Sequence, residues 1–442
     1  MKTPNFTNNH TGRVYYGWYI AAAAFFALIL SMGTRSAFGP FLLPMAEAMA
    51  VSRTRLSLVV AVSMLVFAVS LPIAGRLVDT RGGKPVLLAG TVLLTAALYR
   101  TGRAVTFEEL LFWYGLVAAI GFAATGQVVF QAILNQWFVK RRGAVLSLLS
   151  AGAMGGIGLM TPASALLIDF FGWRLAYTVL AAVVFLVIFP AALWIIRERP
   201  EELGLLPDGD PVAASRFSST GGIEASVRGA SFWEACHTRS FWLLAGGYFA
   251  CGFSMNLLST HGVPMLVDHG FSYIEASWAL GVLGLVGIAG SVGLGVASDY
   301  LGRKNMLALI YLLRAFGFLL LVTASTPFQL FVLGGLAGLV WVGSSAMTSA
   351  LIADLYGRVS IGTIFGWVYF VHQIGAALGA YIGGAAYDWL GTHVIAFGVT
   401  AVVLVIAALL SYRIPESLSQ SQRITVLAGG AETTANPQRL DV

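Results

Sequence analysis

Arg35 and Arg314 each lie well inside an apolar stretch of the chain. An ionised side chain in a bilayer core costs at least about 2.5–3.5 kcal/mol on insertion scales, so each of them needs a partner. A guanidinium presents a planar fork of donors that pairs bidentately with a carboxylate. No Asp or Glu lies at the middle of an apolar stretch: Asp79, Asp169, Asp268, Asp299, Asp354 and Asp388 all fall near the ends, where they cap helices or pair with loop Lys and Arg. An arginine with no acidic partner selects an anion, whereas a site for cations would want a carboxylate. Arg35 has polar neighbours in Thr34 and Ser36 and space beside Gly33 and Gly39. It is the expected anchor for a small organic anion; the alternative is that it snorkels outward or bonds backbone carbonyls. Arg314 is expected to hold helices together.

Neutral polar groups complete the candidate site. Gln127 and Gln131 are four residues apart and share a helical face. Asn256, Thr260 and His261 lie together in one apolar stretch, and Tyr369, His372 and Gln373 in another. His261 and His372 titrate near neutrality, so either is a candidate carrier of a coupled proton; the plainer alternative is a satisfied interhelical histidine. The two cysteines, Cys236 and Cys251, have no metal-ligand spacing, and no disulfide is expected between them. Gly82-Gly83-Lys84 lacks the upstream glycine of a phosphate-binding loop, and no nucleophile elbow is present. The chain is therefore expected to be no enzyme and to need neither metal nor cofactor.

The elements that must hold these residues follow from composition. Of 442 residues, 58% are hydrophobic and 10% charged, against roughly 25% charged in soluble proteins. Stretches of about 20 apolar residues cross a hydrocarbon core, and the helix is the open-ended element that satisfies its own backbone there. Such stretches run over 17–43, 55–78, 85–103, 108–135, 143–170 and 173–196, then over 240–267, 275–298, 304–324, 327–353, 361–387 and 393–412. The expected fold is an all-α polytopic membrane protein, twelve transmembrane helices in two pseudo-symmetric six-helix bundles. Its expected parts are an N-terminus (1–14), an N-terminal bundle (15–196), a polar linker (197–238), a C-terminal bundle (239–413) and a tail (414–442) without stable structure. Ser231–Arg239, with its Phe and Trp, reads as a short amphipathic helix on the membrane surface. The first apolar stretch reads as a retained helix, not a cleaved leader.

The net charge of +6 reports topology. Most Lys and Arg fall on one side, in the ends, the linker, the two repeated turns, Lys140-Arg141-Arg142 and Arg358, which places both termini in the cytoplasm of a multi-pass, inner-membrane protein. No nucleic-acid partner is expected; the lipid bilayer is the partner, and the chain reads as a monomer.

The halves repeat one another. Gly75-Arg76-Leu77-Val78-Asp79-Thr80-Arg81-Gly82-Gly83-Lys84 and Gly295-Val296-Ala297-Ser298-Asp299-Tyr300-Leu301-Gly302-Arg303-Lys304 share G-x-x-x-D-x-x-G-x-K, 220 positions apart. Pro44 and Pro264 keep that offset; Trp137/Tyr356, Gly143/Gly362, Gly156/Gly375 and the Asp169-x-x-Gly172/Asp388-x-x-Gly391 pair keep an offset of 219. Parallel repeats with a site between them are the layout of alternating-access transporters.

The repeated loop resembles that of the major facilitator superfamily, between helices 2 and 3 and between 8 and 9, with departures at Thr80, Gly83 and Tyr300. Trp137-Phe138-Val139-Lys140-Arg141-Arg142 before a Gly/Ala-rich fifth helix, and Arg197-x-x-Pro200-Glu201-x-x-Gly204-x-x-Pro207-Asp208-Gly209, resemble the monocarboxylate and oxalate/formate branch. Gly17-Trp18 is all that matches that branch's opening cluster, and its helix-8 arginine has no counterpart in 275–298. The resemblance implies that helices 1, 4 and 7 line a central cavity. It also implies that Gly75, Asp79, Lys84, Gly295, Asp299 and Arg303, with Lys140, Arg141 and Arg142, form an inner gate. The reading is a secondary transporter of a small monocarboxylate-like anion, by proton symport or anion exchange. Two alternatives are an exporter of neutral or amphipathic compounds and a non-transporting membrane sensor.

Overall fold

The computed structural model describes residues 15–138, 141–207, 232–341, 343–356 and 361–415. Helices dominate because lipid offers no partner to a free N–H or C=O. In chain order they are α1 (Gly17–Ser36), α2 (Phe38–Met49), α3 (Arg53–Arg81), α4 (Gly83–Thr101), α5 (Phe107–Leu110), α6 (Ala119–Ala124), α7 (Gln127–Trp137) and α8 (Arg142–Pro190). After a polar stretch come α9 (Phe232–Cys236), α10 (Arg239–Asp268), α11 (Tyr273–Leu301), α12 (Arg303–Thr323), α13 (Pro327–Leu339), α14 (Gly343–Tyr356), α15 (Ile361–Leu390) and α16 (Val394–Tyr412). Wide π-type turns over Leu111–Ala118 join α5 to α6. Among the described residues this makes twelve crossings, since α1–α2, α5–α7 and α13–α14 are each one broken helix and α8 is two helices meeting at Gly172.

The internal repeat reaches individual hydrogen bonds. Gly82 and Gly302 turn with φ of 90° and 79°, and Gly172 and Gly391 with φ of 75° and 69°, a left-handed backbone that glycine adopts without a Cβ penalty. Ser52 caps α3 by accepting from the amide of Arg55, and Ser272, 220 positions on, accepts from that of Glu275 at the start of α11. Thr106 and Thr326 repeat the device on the amides of Glu109 and Gln329. Each cap satisfies a donor that the helix start leaves open.

Two hydrophobic cores result, one running from Ile20 to Ile196 and joined across the seam by Ala376, Ala377 and Ala380, the other from Ala235 to Ile414 and joined by Met154. Large apolar side chains such as Phe26, Leu186, Trp194 and Val402 remain exposed on the outside, as a lipid-facing surface requires.

The halves meet along α8 with α11, α3 with α15, and α2 with α10. Glycine permits the approach at each seam. A Cβ on Gly284 would overlap the Gly158 backbone, one on Gly39 would press on the Ser259 carbonyl, and one on Gly384 would overlap Ser57. The inter-half hydrogen bonds gather at the end carrying the turns before α3, α11 and α16, here called the Arg53 end. The opposite end carries the repeated Gly/Asp turns and is called the motif end.

Three crossings that read as single apolar stretches are broken, and each break has a local cause or consequence. Pro40 lacks the amide that would bond the Ser36 carbonyl, and the first crossing bends at Ala37. Thr125 ends α6, its hydroxyl bonded to the Gly121 carbonyl and to Ser31. At the close of α13 the carbonyls of Val340 and Trp341 are taken up by Arg314.

Candidate functional site

Arg35 lies two residues before the bend at Ala37. Its guanidinium packs 3.9 Å over the Phe67 ring of α3, and Nη2 points to Sδ of Met64 at 2.7 Å. Thioether sulfur is a weak acceptor. Nε is buried without a hydrogen-bond partner, and among the described residues no carboxylate pairs with this arginine. The Arg35 carbonyl, close to the bend, accepts from the Tyr114 hydroxyl at 3.4 Å. Tyr369 of α15, in the other half, packs against the core of the first half. An arginine held by a ring and a sulfur keeps donor capacity for a ligand.

Tyr369 continues into an aromatic group of the second half. Its ring stacks on His372, centroids 5.3 Å apart and planes at 10°, and His372 lies 4.5 Å from Tyr248. Nδ1 of His372 and Nε2 of Gln373 are buried without partners. Tyr248 donates to or accepts from Ser345 at 3.0 Å.

The other expected site residues divide. Gln127 donates to Ser150 at 3.2 Å, and Gln131 is half-buried one turn further along α7. Asn256 donates to the Ala376 carbonyl at 2.9 Å, tying α10 to α15. Thr260 is buried at the seam facing Gly39. His261 does not join Arg35. Its Nε2 lies 2.8 Å from the Ala380 carbonyl and 3.1 Å from the Ser57 hydroxyl. Ser57 is seven residues before Met64 on α3, about 10 Å closer to the Arg53 end. Met64, Phe67, Tyr114 and Tyr248 carry no distinguishing signal in the sequence, being apolar or aromatic residues in apolar stretches.

Arg314 is a structural tie. It is 2% exposed, and Nη2 donates to the carbonyls of Val340 at 2.9 Å and Trp341 at 2.5 Å, while Nη1 lies 3.2 Å from Cys251 Sγ. Replacing Arg314 by Leu orphans two carbonyls at the α13–α14 break, a cost of about 1–3 kcal/mol. Thermal unfolding in detergent is expected to come several degrees earlier, with ligand affinity at Arg35 unchanged in a parallel binding titration.

At the motif end, Glu198 accepts from the amides of Gly83 at 2.9 Å and Lys84 at 2.6 Å, capping α4 where the helix dipole favours a carboxylate. Lys84 Nζ donates to the Leu193 carbonyl at 2.7 Å. In the second half Arg303 pairs with Asp354 at 2.6 Å and bonds the Ala350 carbonyl. Gly75 is half-buried in α3 beside Val128, Gly295 lies in α11, and Arg141 is exposed. Lys140 and the side chains of Asp79, Arg142 and Asp299 lie outside the described residues.

Comparison with known proteins agrees with the helical membrane fold. The sequence profile of the Major Facilitator Superfamily matches residues 24–295 and 244–429. The chain belongs to the major facilitator superfamily. It is 25% identical over 402 residues to the "Uncharacterized MFS-type transporter YcxA" of Bacillus subtilis (strain 168), covering 89% of this chain and 94% of that one. It is 27% identical over 421 residues to monocarboxylate transporter 11 of Homo sapiens, covering 91% and 84%. Among solved structures it superimposes with a TM-score of 0.71, at 19% identity, on a bacterial homologue of the human lysosomal transporter Spinster, over 94% of this chain and 99% of that one. At that identity the likeness shows the fold. This major facilitator protein is thus a secondary transporter, not an enzyme.

Proposed function

We propose that the transporter moves a small organic anion, monocarboxylate-like, by alternating access, with Arg35 as its anchor. The observation that carries this reading is the guanidinium beside a helix bend, held by Phe67 and Met64 and paired with no carboxylate among the described residues. Broken helices at a repeat interface are where transporters of this general kind place their ligands. Tyr369 and His372 supply the opposite wall. Gln127, Gln131, Asn256 and Gln373 set the shape and polarity around the anion. Relatives named monocarboxylate transporters at about 25% identity favour the same cargo class.

The bias of Lys and Arg towards the motif end supports a cytoplasmic position for that end and for both termini. With the halves joined at the Arg53 end, the chain is then in an inward-open state. The Gly/Asp turns with Lys84, Arg141 and Arg303 close that inner face in the alternate state.

Reconstitution into liposomes with a panel of labelled carboxylates, with and without an imposed pH gradient, tests the proposal. Saturable uptake of at least one monocarboxylate is expected, and its response to the gradient separates proton symport from anion exchange. Indifference to every anion tested would remove the carboxylate reading.

A further inference from the structure

The Arg53 end carries a cluster of charged and titratable groups that the substrate site does not use. Arg53 of α3, in the first half, reaches Asp268 of α10 with both nitrogens, at 2.5 and 3.0 Å. Its guanidinium lies 3.5 Å over the Tyr387 ring of α15. Nη1 of Arg53 is also 3.0 Å from Nε2 of His393, in the turn before α16, and His393 is buried. An arginine can only donate, so Nε2 of His393 accepts and the imidazole is neutral in this arrangement. The same Nε2 lies 3.5 Å from the Asp268 carboxylate.

Asp268 and His393 belong to the same half, and only Arg53 comes from the other. When the halves part at this end, Arg53 leaves with α3 and Asp268 keeps His393 as its neighbour. A neutral imidazole cannot replace the lost cation, but a protonated one can.

We propose that the Arg53 end is a proton-operated latch in which Arg53 and a proton on His393 compete for the carboxylate of Asp268. Opening takes one proton from the water at that face and forms a His393–Asp268 ion pair. Closing returns the proton to that water as Arg53 reclaims the carboxylate. The inference rests on the alternating motion proposed above and not on the identity of the cargo.

The surrounding groups agree with the assignment. Arg53 faces His393 from α3, His261, Asp268 and His269 from α10, and Tyr387 and Asp388 from α15. Asp388 is engaged by the amide of Thr54. His269 bonds the carbonyl of Met265 in its own helix. His261, its ring 5.3 Å from that of His393, is bonded to the Ala380 carbonyl of its own half and to the Ser57 hydroxyl of the other, and the parting of the halves leaves only the Ala380 bond intact. Burial, then the neighbouring His261 ring and the Arg53 guanidinium, pulls the closed-state His393 imidazole down to about 2. A group depressed in the closed form and released in the open form favours closure above the open-form value, and that preference is lost as pH falls through it.

The test needs no cargo. Spin labels at Glu47→Cys and Trp389→Cys, both exposed and on opposite halves at this end, report its width in the full chain with Cys236→Ser, in lipid nanodiscs. The open-to-closed ratio is expected to rise about tenfold per pH unit below the open-form value, which the Asp268 carboxylate holds above histidine's ordinary value of about 6.5. His393→Gln, whose amide oxygen still accepts from Arg53 but binds no proton between pH 8 and 5, is expected to stay closed throughout. Asp268→Asn removes the contested carboxylate and is expected to stay open throughout. A ratio that is flat from pH 8 to 5 in the chain with His393 and Asp268 intact overturns the latch, whatever the variants do. A slope that survives in His393→Gln and disappears in His261→Gln also overturns it, by moving the proton to His261. A flat ratio alongside normal anion uptake would leave the transport reading standing and remove the latch alone.

Discussion

Arg35→Gln is expected to lower anion uptake in liposomes by about 10- to 100-fold, chiefly through weaker binding. The estimate follows from the chemistry of the lost contact: a hydrogen bond to a charged partner is worth about 1.5–3 kcal/mol. Glutamine keeps length and polarity but not the positive charge or the forked donors. Arg35→Lys restores the charge without the fork and is expected to fall between the two. The fold should tolerate both changes, because among the described residues no carboxylate is left unpaired when the arginine goes. Uptake by labelled anion and affinity by equilibrium binding together separate a binding defect from a transport defect. Uptake indifferent to Arg35→Gln would remove the anion anchor and favour an exporter of neutral or amphipathic cargo.

The second large effect is expected at Gly284. A Cβ there would overlap the Gly158 backbone across the seam between α8 and α11. Overpacking of this kind costs about 1–3 kcal/mol, a factor of about 5 to 150 in an equilibrium. The clash exists only while the halves are joined at the Arg53 end, so Gly284→Ala shifts the population towards the open arrangement at that end. Transport is expected to fall sharply with expression and unfolding temperature nearly unchanged. Gly252→Ala provides the contrast. Its Cβ would overlap the His372 carbonyl between α10 and α15, two helices of the same half, and no rocking motion relieves that. It should unfold at lower temperature. Label distances across the Arg53 end, read beside thermal unfolding, distinguish the two outcomes. A Gly284→Ala chain that transports normally would mean that the seam is not closed at any point in the cycle.

The depth and spacing of Arg35 were readable from residue order, and so was the absence of an acid near it. The ring and sulfur that hold it were not, because Phe67 and Met64 look like any other apolar residues of α3. Arg314 read as a structural arginine, and the carbonyls of Val340 and Trp341 give the reason. By its place in an apolar stretch His261 reads as a substrate residue. The structure instead sets it against Ser57 and Ala380 at the seam. His393 carries no distinguishing signal in the sequence, being a lone histidine in a short turn, yet it is buried at the Arg53 end.

The amino-acid sequence by itself determined that the chain lives in lipid, crosses it as helices and is built twice. Each of those conclusions depends on neighbours along the chain: an apolar segment in a bilayer must satisfy its own backbone whatever it packs against. The repeat shows because caps and turns such as Ser52/Ser272 and Gly82/Gly302 are local devices that duplication copies intact. Only the tertiary structure decided which polar groups meet. Arg53 and Asp268 are 215 positions apart, and Ser57 and His261 are 204. Lipid-facing and partner-facing sides of these helices are both apolar, so the rotation of each helix leaves little trace in residue order. Close packing of the seams, set by glycines such as Gly39, Gly158 and Gly384, settles that rotation.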